Sequence, residues 1–426
     1  MRASRFAGGL AGIVLGGLMI RVGYVLFFTR YENSKLYDAF WYGVTSNELS
    51  QGQFFRTPFG VTPTAAHPPL TSLLVGGTSF IVGRHAGSTV QRLTIAVLGA
   101  LVVLCVGLLG RTVAGPWVGL TAAGLAAVYP NMWIPSGIVM SETPSMLFMA
   151  LILVAVTRVL RSPTVFNTVL LGAACGAEVL VRAELILFVP GLLVPAVLLA
   201  GQTSLRRRFG LLAVGIVTSA VVVAPWVGRN MATFEDATYL STGNGLALLG
   251  ANCPQTYAGP SLGSWSLACA ASVTGSDESA QSARAQHAAI QYAERHAGRI
   301  PVVVMARIGR VWDLYEPIQM ADVDVNEGRP VPASLAGLGF YYALLPLGAA
   351  GIVILRRRRI SQWFLLVPAA VVTLVSALVY GLVRFRSPFE VCLVVLAAPP
   401  LVLGAQAVGR WTGGMRRRPL TGEHAA

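Results

Sequence analysis

The chain contains ten apolar runs, each close to the roughly 20 residues that a helix needs to cross a lipid bilayer. Hydrophobic residues make up 54% of the 426 residues and charged residues only 12%. A soluble domain could not keep that much apolar surface away from water, so soluble fold classes are excluded. The sequence predicts an all-α polytopic membrane protein with about ten spans, which lie near 7–29, 93–110, 116–133, 144–160, 164–181, 185–200, 210–228, 335–355, 362–382 and 389–408.

The charge distribution predicts the orientation of these spans. The net charge is +14 and is nearly all arginine, because Lys35 is the only lysine. Most arginines are clustered in short connections between apolar runs, which is typical of loops on the cytoplasmic face and gives no reason to expect a nucleic-acid partner. Both termini are therefore predicted to be cytoplasmic in a multi-pass protein of the cell membrane. The clusters are Arg111, Arg158 with Arg161, 206–208, 356–359 and 416–418.

An eleventh apolar stretch, at 68–83, is short for a span. If it crossed the membrane, every later loop would be inverted and the arginine clusters would lie outside, against the positive-inside rule. We therefore expect 68–83 to lie in the outer interface or to re-enter the membrane without crossing it.

Two external segments follow from this path, at 30–92 and 229–334. Together with short external turns, they concentrate on one face the polar residues that chemistry requires. We expect a single integral membrane domain over 1–411 and a disordered cytoplasmic tail at 412–426.

The second external segment has two further features. Cys253 and Cys269 are disulfide candidates if this segment faces an oxidising compartment. Apolar residues at helical spacing over 302–315, with Arg307 and Arg310 beside them, predict a helix that lies on the membrane surface.

Acids near the outer ends of spans are the first candidates for chemistry. A helix over 35–51 would place Asp38 and Tyr42 on one face, four residues apart, although Asp38 can equally be read as a solvated loop acid. Glu142 stands at the outer mouth of a span, where acids are rare and usually functional. The alternative for Glu142 is a purely structural role at the start of a helix.

Three arginines lie at the outer ends of spans, where the positive-inside rule does not require them. Phosphate binding is one explanation, because a guanidinium group matches phosphate oxygens. Arg182 has Glu184 two residues away, so a structural ion pair is an equal alternative there. Arg384 and Arg386 have only Glu390 nearby, which favours phosphate binding.

No nucleotide-binding glycine loop, Gly-x-Ser-x-Gly turn or dense metal-ligand cluster occurs in the sequence, which argues against soluble nucleotide chemistry. A set of short motifs instead runs in order through most of the chain. The motifs are Asp38-x-x-x-Tyr42, His67-Pro68-Pro69-Leu70, Tyr129-Pro130, Ser141-Glu142, Val181-Arg182-Ala183-Glu184, Pro225-Trp226-x-x-Arg229-Asn230, Ser241-Thr242-Gly243-Asn244-Gly245, Gly250-Ala251-Asn252 and Arg384-Phe385-Arg386-x-Pro388.

This ordered set resembles the membrane glycosyltransferases of the GT-C fold, specifically the protein mannosyltransferase and aminoarabinose transferase group (glycosyltransferase family 39). The resemblance implies transfer of a sugar from a polyprenyl phosphate donor to an acceptor hydroxyl on the extracytoplasmic face, with inversion. It implies that Asp38 is the catalytic base and that Glu142 lies beside it. Tyr42, His67 and Asn244 would position the substrate, and Arg384, Arg386 and Arg182 would bind the donor phosphate.

Two departures from the family pattern stand out. Ala39 replaces a second acid that many relatives have, and Ala183 replaces a proline. The first departure weakens the case for a metal site. No cofactor is therefore expected with certainty, and a divalent cation held by Asp38, Glu142 and His67 is left open.

The alternative function is a transporter or flippase of lipid-linked sugars, which would also be polytopic and rich in arginine. Such proteins often have inverted repeats and broken helices near the membrane midplane. Neither is visible in the sequence, and the acids stand at one face, which favours the transferase. The arginine-rich composition suggests a high-GC bacterial source, while the sugar and the acceptor, whether glycan, lipid or protein, stay open.

Overall fold

The computed structural model describes residues 1, 3–29, 37–58, 60–83, 87–201, 203–325 and 328–415. These residues form nineteen α-helices, and the one β-bridge found among them joins Arg56 to Pro63. The first ten helices are α1 (Ala3–Tyr24), α2 (Tyr37–Ser50), α3 (Leu70–Val82), α4 (Ser88–Ala114), α5 (Pro116–Val128), α6 (Pro130–Trp133), α7 (Glu142–Arg161), α8 (Val165–Val181), α9 (Val194–Leu198) and α10 (Leu205–Thr233).

The remaining nine are α11 (Gly243–Ala251), α12 (Pro254–Tyr257), α13 (Leu267–Ala270), α14 (Glu278–Arg295), α15 (Ile300–Val311), α16 (Pro317–Val325), α17 (Val331–Arg357), α18 (Trp363–Leu378) and α19 (Ser387–Met415). Short 3-10 or π turns extend or connect some of these helices. They are Val25–Thr29, Ile134–Gly137, Ala183–Leu187, Val189–Leu193, Ala297–Arg299 and Val383–Arg386.

All ten predicted spans are helical, and the predicted all-α polytopic membrane fold is confirmed. Six helical stretches in the described part of the chain are long and apolar enough to cross a bilayer, and they are Ala3–Thr29, Ser88–Ala114, Glu142–Arg161, Leu205–Thr233, Val331–Arg357 and Val383–Ala407. The other four predicted spans are shorter apolar helices at Pro116–Val128, Val165–Val181, Ala183–Leu198 and Trp363–Leu378. The count of ten crossings therefore stays a prediction.

Helix α3 corresponds to the eleventh apolar stretch. Its 13 residues measure about 20 Å at 1.5 Å per residue, whereas the hydrocarbon core is about 30 Å thick. It packs against α2, α4 and α8. Helix α5, in a predicted span, also has 13 residues, so length alone does not decide the point, and the expectation that 68–83 does not cross the membrane stays a prediction.

The spanning helices divide into a central and a peripheral group. In the central helices α4, α7 and α19, between 61% and 72% of the most apolar window is buried within the protein, compared with 22% to 28% in α1, α10 and α17. Exposed apolar side chains on the peripheral helices, such as Met19 and Val221, suit contact with lipid. Two of the central helices adjoin candidate site residues, since Glu142 begins α7 and the turn with Arg384 and Arg386 leads into α19.

Small residues bring α8 and α10 into close contact. A methyl group at Gly172 would meet the backbone of Gly215, and a methyl group at Gly176 would meet the carbonyl of Ser219. Such small-xxx-small pairs allow helix backbones to approach in a membrane, where the hydrophobic effect gives no drive for helices to associate. This packing fixes the position of α8, whose C-terminal end leads into the site.

Three of the arginines predicted to be cytoplasmic donate hydrogen bonds to backbone carbonyls at or near other predicted cytoplasmic connections. Arg161 donates to the carbonyl of Thr112, and Arg207 donates to the carbonyl of Pro163. Arg208 donates to the carbonyl of Leu198 at 2.8 Å. These contacts place the cationic connections together, as the positive-inside argument requires, while the side of the membrane that they face stays a prediction.

The bounds of two predicted segments need correction. The predicted helix over 302–315 forms as α15, which ends at Val311, and its two arginines are buried in the protein; its position on the membrane surface stays a prediction. Arg307 donates to the carbonyl of Ala251 at 2.6 Å, and Arg310 donates to the carbonyl of Leu262 at 2.6 Å. Arg310 is fully buried, and the carbonyl groups of Leu262 and Pro260 accept the hydrogen bonds that water would otherwise accept.

The second correction concerns the predicted tail at 412–426. Helix α19 continues to Met415, so the first four of these residues are helical, and 416–426 lie outside the described residues. In the second external segment, Cys253 and Cys269 form a disulfide with their Cα atoms 6.4 Å apart.

Candidate active site

Asp38 lies in the first turn of α2, where the side chains of His67 and Arg384 approach its carboxylate. One carboxylate oxygen lies 3.5 Å from His67 Nε2. The other accepts a hydrogen bond of 3.1 Å from Arg384 Nη1. The Asp38 side chain is 29% exposed and Arg384 is 15% exposed, so both partners are partly exposed. We call Asp38, Tyr42, His67, Glu142 and Arg384 the outer cleft.

The surroundings of Asp38 determine its acidity. Burial raises the pKa of the carboxyl group, but the charges and hydrogen bonds of His67 and Arg384 outweigh this effect. The pKa of Asp38 therefore lies well below the usual value for an aspartate. In this arrangement Asp38 is fully ionised near neutral pH and is a weak base.

Tyr42 connects Asp38 to Glu142 in the outer cleft. Its ring packs against His67, with centroids 4.9 Å apart, and its side chain forms a hydrogen bond with Ser141. Burial, followed by the negative charges of Asp38 and Glu142, raises the pKa of the Tyr42 hydroxyl. The predicted face of α2 is thus formed, since Asp38 and Tyr42 both contact His67.

Glu142 is the first residue of α7, and its side chain is 2% exposed. The N-cap residue of this helix, Ser141, makes no side-chain capping bond. Glu142 Oε2 is buried without a hydrogen-bond partner in the described part of the chain. An oxygen left in this state is poorly explained by a structural role alone, because an unsatisfied buried polar group is costly.

Arg182 forms the ion pair that the sequence offered as its structural alternative. Its Nε donates to Glu184 at 2.8 Å, and its side chain is 7% exposed. Its Nη1 also donates to the backbone carbonyl of Arg384 at 3.4 Å, and the guanidinium stacks over the Phe385 ring. Arg182 therefore supports the turn that presents Arg384.

Arg386 occupies a different environment from Arg384, although only Phe385 separates them. It is fully buried and donates to Asp313 at 2.9 Å and to Glu390 at 2.7 Å. Its guanidinium lies 3.5 Å from the centre of the Tyr341 ring. Tyr129 donates a further hydrogen bond of 2.8 Å to Glu390. We call Arg386, Asp313, Glu390, Tyr129 and Tyr341 the buried cluster. Its geometry favours a structural role for Arg386.

Asn244 lies in the first turn of α11, and its side chain is exposed. The residues before it pack beside the outer cleft, since Ser241 donates to the carbonyl of Ala66 at 2.6 Å and the Thr242 amide donates to the carbonyl of Ala65 at 2.9 Å. These contacts bring the segment before Asn244 beside the segment before His67. The substrate-positioning role of Asn244 stays a prediction.

Sequence reasoning missed Glu178, which is fully buried in α8 one turn before Arg182. It accepts a hydrogen bond from Ser145 of α7. The signal was available, because an acid inside an apolar run of a membrane protein is a functional candidate by default. It also missed Asp313, whose role depends on a contact with Arg386 from 73 residues away.

A metal site does not fit the residues present. Within the described ranges, no group of three or more His, Cys, Asp or Glu side chains lies close enough to hold a metal ion. His67 and Arg384 already approach both carboxylate oxygens of Asp38, and Ala39 offers no second carboxylate. We therefore propose no metal-dependent step for a reaction at this site.

Comparison with known proteins agrees with this architecture. The family model described as dolichyl-phosphate-mannose-protein mannosyltransferase matches residues 66–228. The apo crystal structure of the oligosaccharyltransferase from Archaeoglobus fulgidus aligns with 100% of this chain and 53% of its own, at 17% identity and a TM-score of 0.58. The same organism's AglB, in complex with an inhibitory peptide and a dolichol-phosphate, aligns with 99% of this chain and 52% of its own, at 16% identity and a TM-score of 0.52.

ArnT from Cupriavidus metallidurans bound to undecaprenyl phosphate aligns with 93% of this chain and 77% of its own, at 16% identity and a TM-score of 0.44. No curated protein sequence matches significantly. The chain spans about half the length of the archaeal structures that it resembles. The predicted resemblance is confirmed, and the chain is a membrane protein with the GT-C glycosyltransferase fold, similar over residues 66–228 to the dolichyl-phosphate-mannose-protein mannosyltransferases.

Proposed function

We propose that this protein transfers a sugar from a polyprenyl phosphate donor to an acceptor hydroxyl on the extracytoplasmic face of the cell membrane, with inversion at the anomeric carbon. The observation that carries the proposal is the contact of 3.1 Å between Asp38 and Arg384. It joins a carboxylate that could accept a proton to a cation suited to phosphate, and both are partly exposed. The dolichol-phosphate in the archaeal structure of the same fold supports a lipid-phosphate donor.

The reaction needs one base and one anion-binding group. Asp38 accepts the proton of the acceptor hydroxyl while that oxygen forms a bond to the anomeric carbon. The bond from the anomeric carbon to the phosphate oxygen breaks on the opposite face, and its electron pair leaves with the polyprenyl phosphate. A sugar phosphate already has a good leaving group, so no protein acid has to protonate it.

The donor itself makes Asp38 a stronger base. With Arg384 paired to Asp38, the low pKa of the carboxyl group opposes proton uptake. The donor phosphate competes for the same guanidinium, because arginine binds phosphate oxygens through charge-assisted hydrogen bonds. When Arg384 turns to the phosphate, the pKa of Asp38 rises and proton transfer from the acceptor becomes easier.

The neighbouring residues hold this geometry. His67 contacts the second oxygen of Asp38 and packs between Trp41 and Tyr42, with ring centroids 4.8 Å and 4.9 Å away. Glu142 reaches the same cleft through its electrostatic interaction with Tyr42. We assign substrate positioning to His67 and Tyr42, and orientation of the acceptor hydroxyl to the unpartnered oxygen of Glu142.

The test is a transfer assay in membranes with a panel of radiolabelled polyprenyl phosphate sugars and extracted acceptors. The proposal expects one labelled donor to give a new glycosylated product, with the opposite anomeric configuration, in membranes that contain the protein. Membranes containing Asp38→Asn protein at the same level serve as the control. Translocation of a labelled lipid across proteoliposome membranes without any new product would support a transporter and contradict the proposal.

A further inference from the structure

Glu178 occupies an unusual position for a carboxylate. It is fully buried in α8, within a predicted membrane span, and one of its oxygens accepts a hydrogen bond from Ser145 Oγ. Its other oxygen, Oε2, is buried and has no hydrogen-bond partner among the described residues. Burying a carboxylate in this way is costly, so its presence calls for a function.

The two ends of this hydrogen bond belong to segments that carry site residues. Ser145 lies in the first turn of α7, three residues after Glu142. Glu178 lies in the last turn of α8, and the Arg182 amide donates to its backbone carbonyl at 2.9 Å. Glu178 and Glu142 also both interact electrostatically with Arg182. The contact therefore joins the segment that presents Glu142 to the segment that presents Arg182.

From Arg182 the connection continues into the outer cleft. Arg182 holds the backbone carbonyl of Arg384, and the Arg384 side chain holds Asp38. A shift of α8 relative to α7 would consequently move Glu142 and the Arg384 turn with respect to each other. Misplacement of about 1 Å is enough to slow an enzymatic step substantially.

We propose that Glu178, together with Ser145, is a positioning residue that sets the geometry between Glu142 and the Arg182–Arg384 turn during sugar transfer. This inference rests on the proposed function. Glu178 does not touch the substrate, because it is enclosed between α7 and α8. Its loss therefore slows the chemical step and leaves the binding of the donor phosphate by Arg384 largely unchanged.

The experiment compares purified Glu178→Ala, Glu178→Gln and Ser145→Ala proteins by kcat, donor KM and melting temperature. Glutamine keeps an oxygen that accepts the Ser145 hydrogen bond, whereas alanine does not. The matched control is Thr168→Val, which removes a buried hydroxyl from the same helix about 15 Å along its axis from Glu178.

The proposal expects kcat to fall about 10- to 100-fold in Glu178→Ala, with donor KM changed less than about threefold. Glu178→Gln should recover most of kcat, and Thr168→Val should keep the parent value. An unchanged kcat in folded Glu178→Ala protein, or equal losses in Thr168→Val, would overturn the inference while leaving the proposed function intact.

A stability cycle tests the same contact without any turnover. The fall in melting temperature of the Ser145→Ala/Glu178→Ala double variant should be smaller than the sum of the two single falls, because both changes break one hydrogen bond. Strictly additive falls would overturn the inference even if the parent protein transferred no sugar. A parent protein that transfers no sugar, with a non-additive cycle, would contradict the proposed function and the positioning role, while the contact itself would stand.

Discussion

The outer cleft and the buried cluster each contain an arginine from the same short turn, yet the two arginines have opposite environments. Arg384 is partly exposed and pairs with the carboxylate of Asp38, which is also partly exposed. Arg386 is fully buried between two carboxylates, Asp313 and Glu390. The same residue type, two positions apart, is thus available for a ligand in one region and committed to the fold in the other.

The difference follows from the cost of removing charge from water. A buried guanidinium whose partners are also buried cannot leave them without exposing two uncompensated carboxylates. In the outer cleft both partners are partly exposed, so water can solvate each charge when the pair opens. Exchange of partners therefore costs less in the outer cleft than in the buried cluster.

The largest expected effect is on the reaction itself and concerns Asp38→Asn. Asparagine keeps the size of the side chain but cannot accept a proton, so the transfer rate should fall about 100- to 10,000-fold. The rate of label transfer by purified protein measures it, with the melting temperature as a check on folding. A rate near that of the parent would remove Asp38 from the mechanism.

The next effect is on stability and concerns Arg386→Gln. Removal of the guanidinium leaves Asp313 and Glu390 buried without their counter-ion, which should lower the free energy of unfolding by about 3–5 kcal/mol. Thermal unfolding in detergent measures the loss. Protein with Arg386→Gln that is as stable as the parent, but binds donor poorly, would reverse the roles assigned to the two arginines.

A smaller effect is expected from Arg384→Gln. Loss of a charge-assisted hydrogen bond to phosphate costs about 1.5–3 kcal/mol, so the donor Kd should rise roughly 10- to 100-fold. Stability should fall less than in Arg386→Gln, because Arg384 and Asp38 are partly exposed and water can solvate the carboxylate that is left. Titration of the purified protein with polyprenyl phosphate measures the affinity. An unaltered Kd would mean that another group binds the phosphate.

The smallest effect is on the pH profile. Activity of the free enzyme requires ionised Asp38, so kcat/KM falls as the pH drops through the pKa of this group. Burial raises the pKa of Asp38, but His67 and Arg384 lower it by more, so the net shift is downward. In Arg384→Gln protein the acid limb of the profile should therefore move to higher pH. Superimposable acid limbs in the two proteins would show that Arg384 does not control Asp38.

Much of the fold was predictable, because span length and arginine placement are direct consequences of bilayer physics. The outer cleft was predictable in part. Spacing of four residues put Asp38 and Tyr42 on one face, and Glu142 stood out as an acid near membrane depth. The pairing of Asp38 with Arg384 was not predictable, since 346 residues separate them and no local pattern records the contact.

The absence of any local record of long-range contacts also explains why the environment of Arg386 was not predictable. The sequence offered only Glu390 as a nearby acid, while Asp313 reaches the guanidinium through tertiary packing. Arg307 and Arg310 show the same effect, because their surface-helix pattern gave no sign of the carbonyl groups that they bind. Sequence periodicity identifies which faces of helices are apolar, but the partners of buried charges depend on the packed structure.

Donor binding by the Asp38→Asn protein tests most directly the claim that Arg384 exchanges Asp38 for the donor phosphate. Removal of the competing carboxylate frees the guanidinium, so this variant should bind polyprenyl phosphate at least as tightly as the parent while transferring almost no sugar. Titration of both proteins at the same pH and ionic strength gives the two dissociation constants. Weaker donor binding by folded Asp38→Asn protein would contradict the exchange and the mechanism built on it.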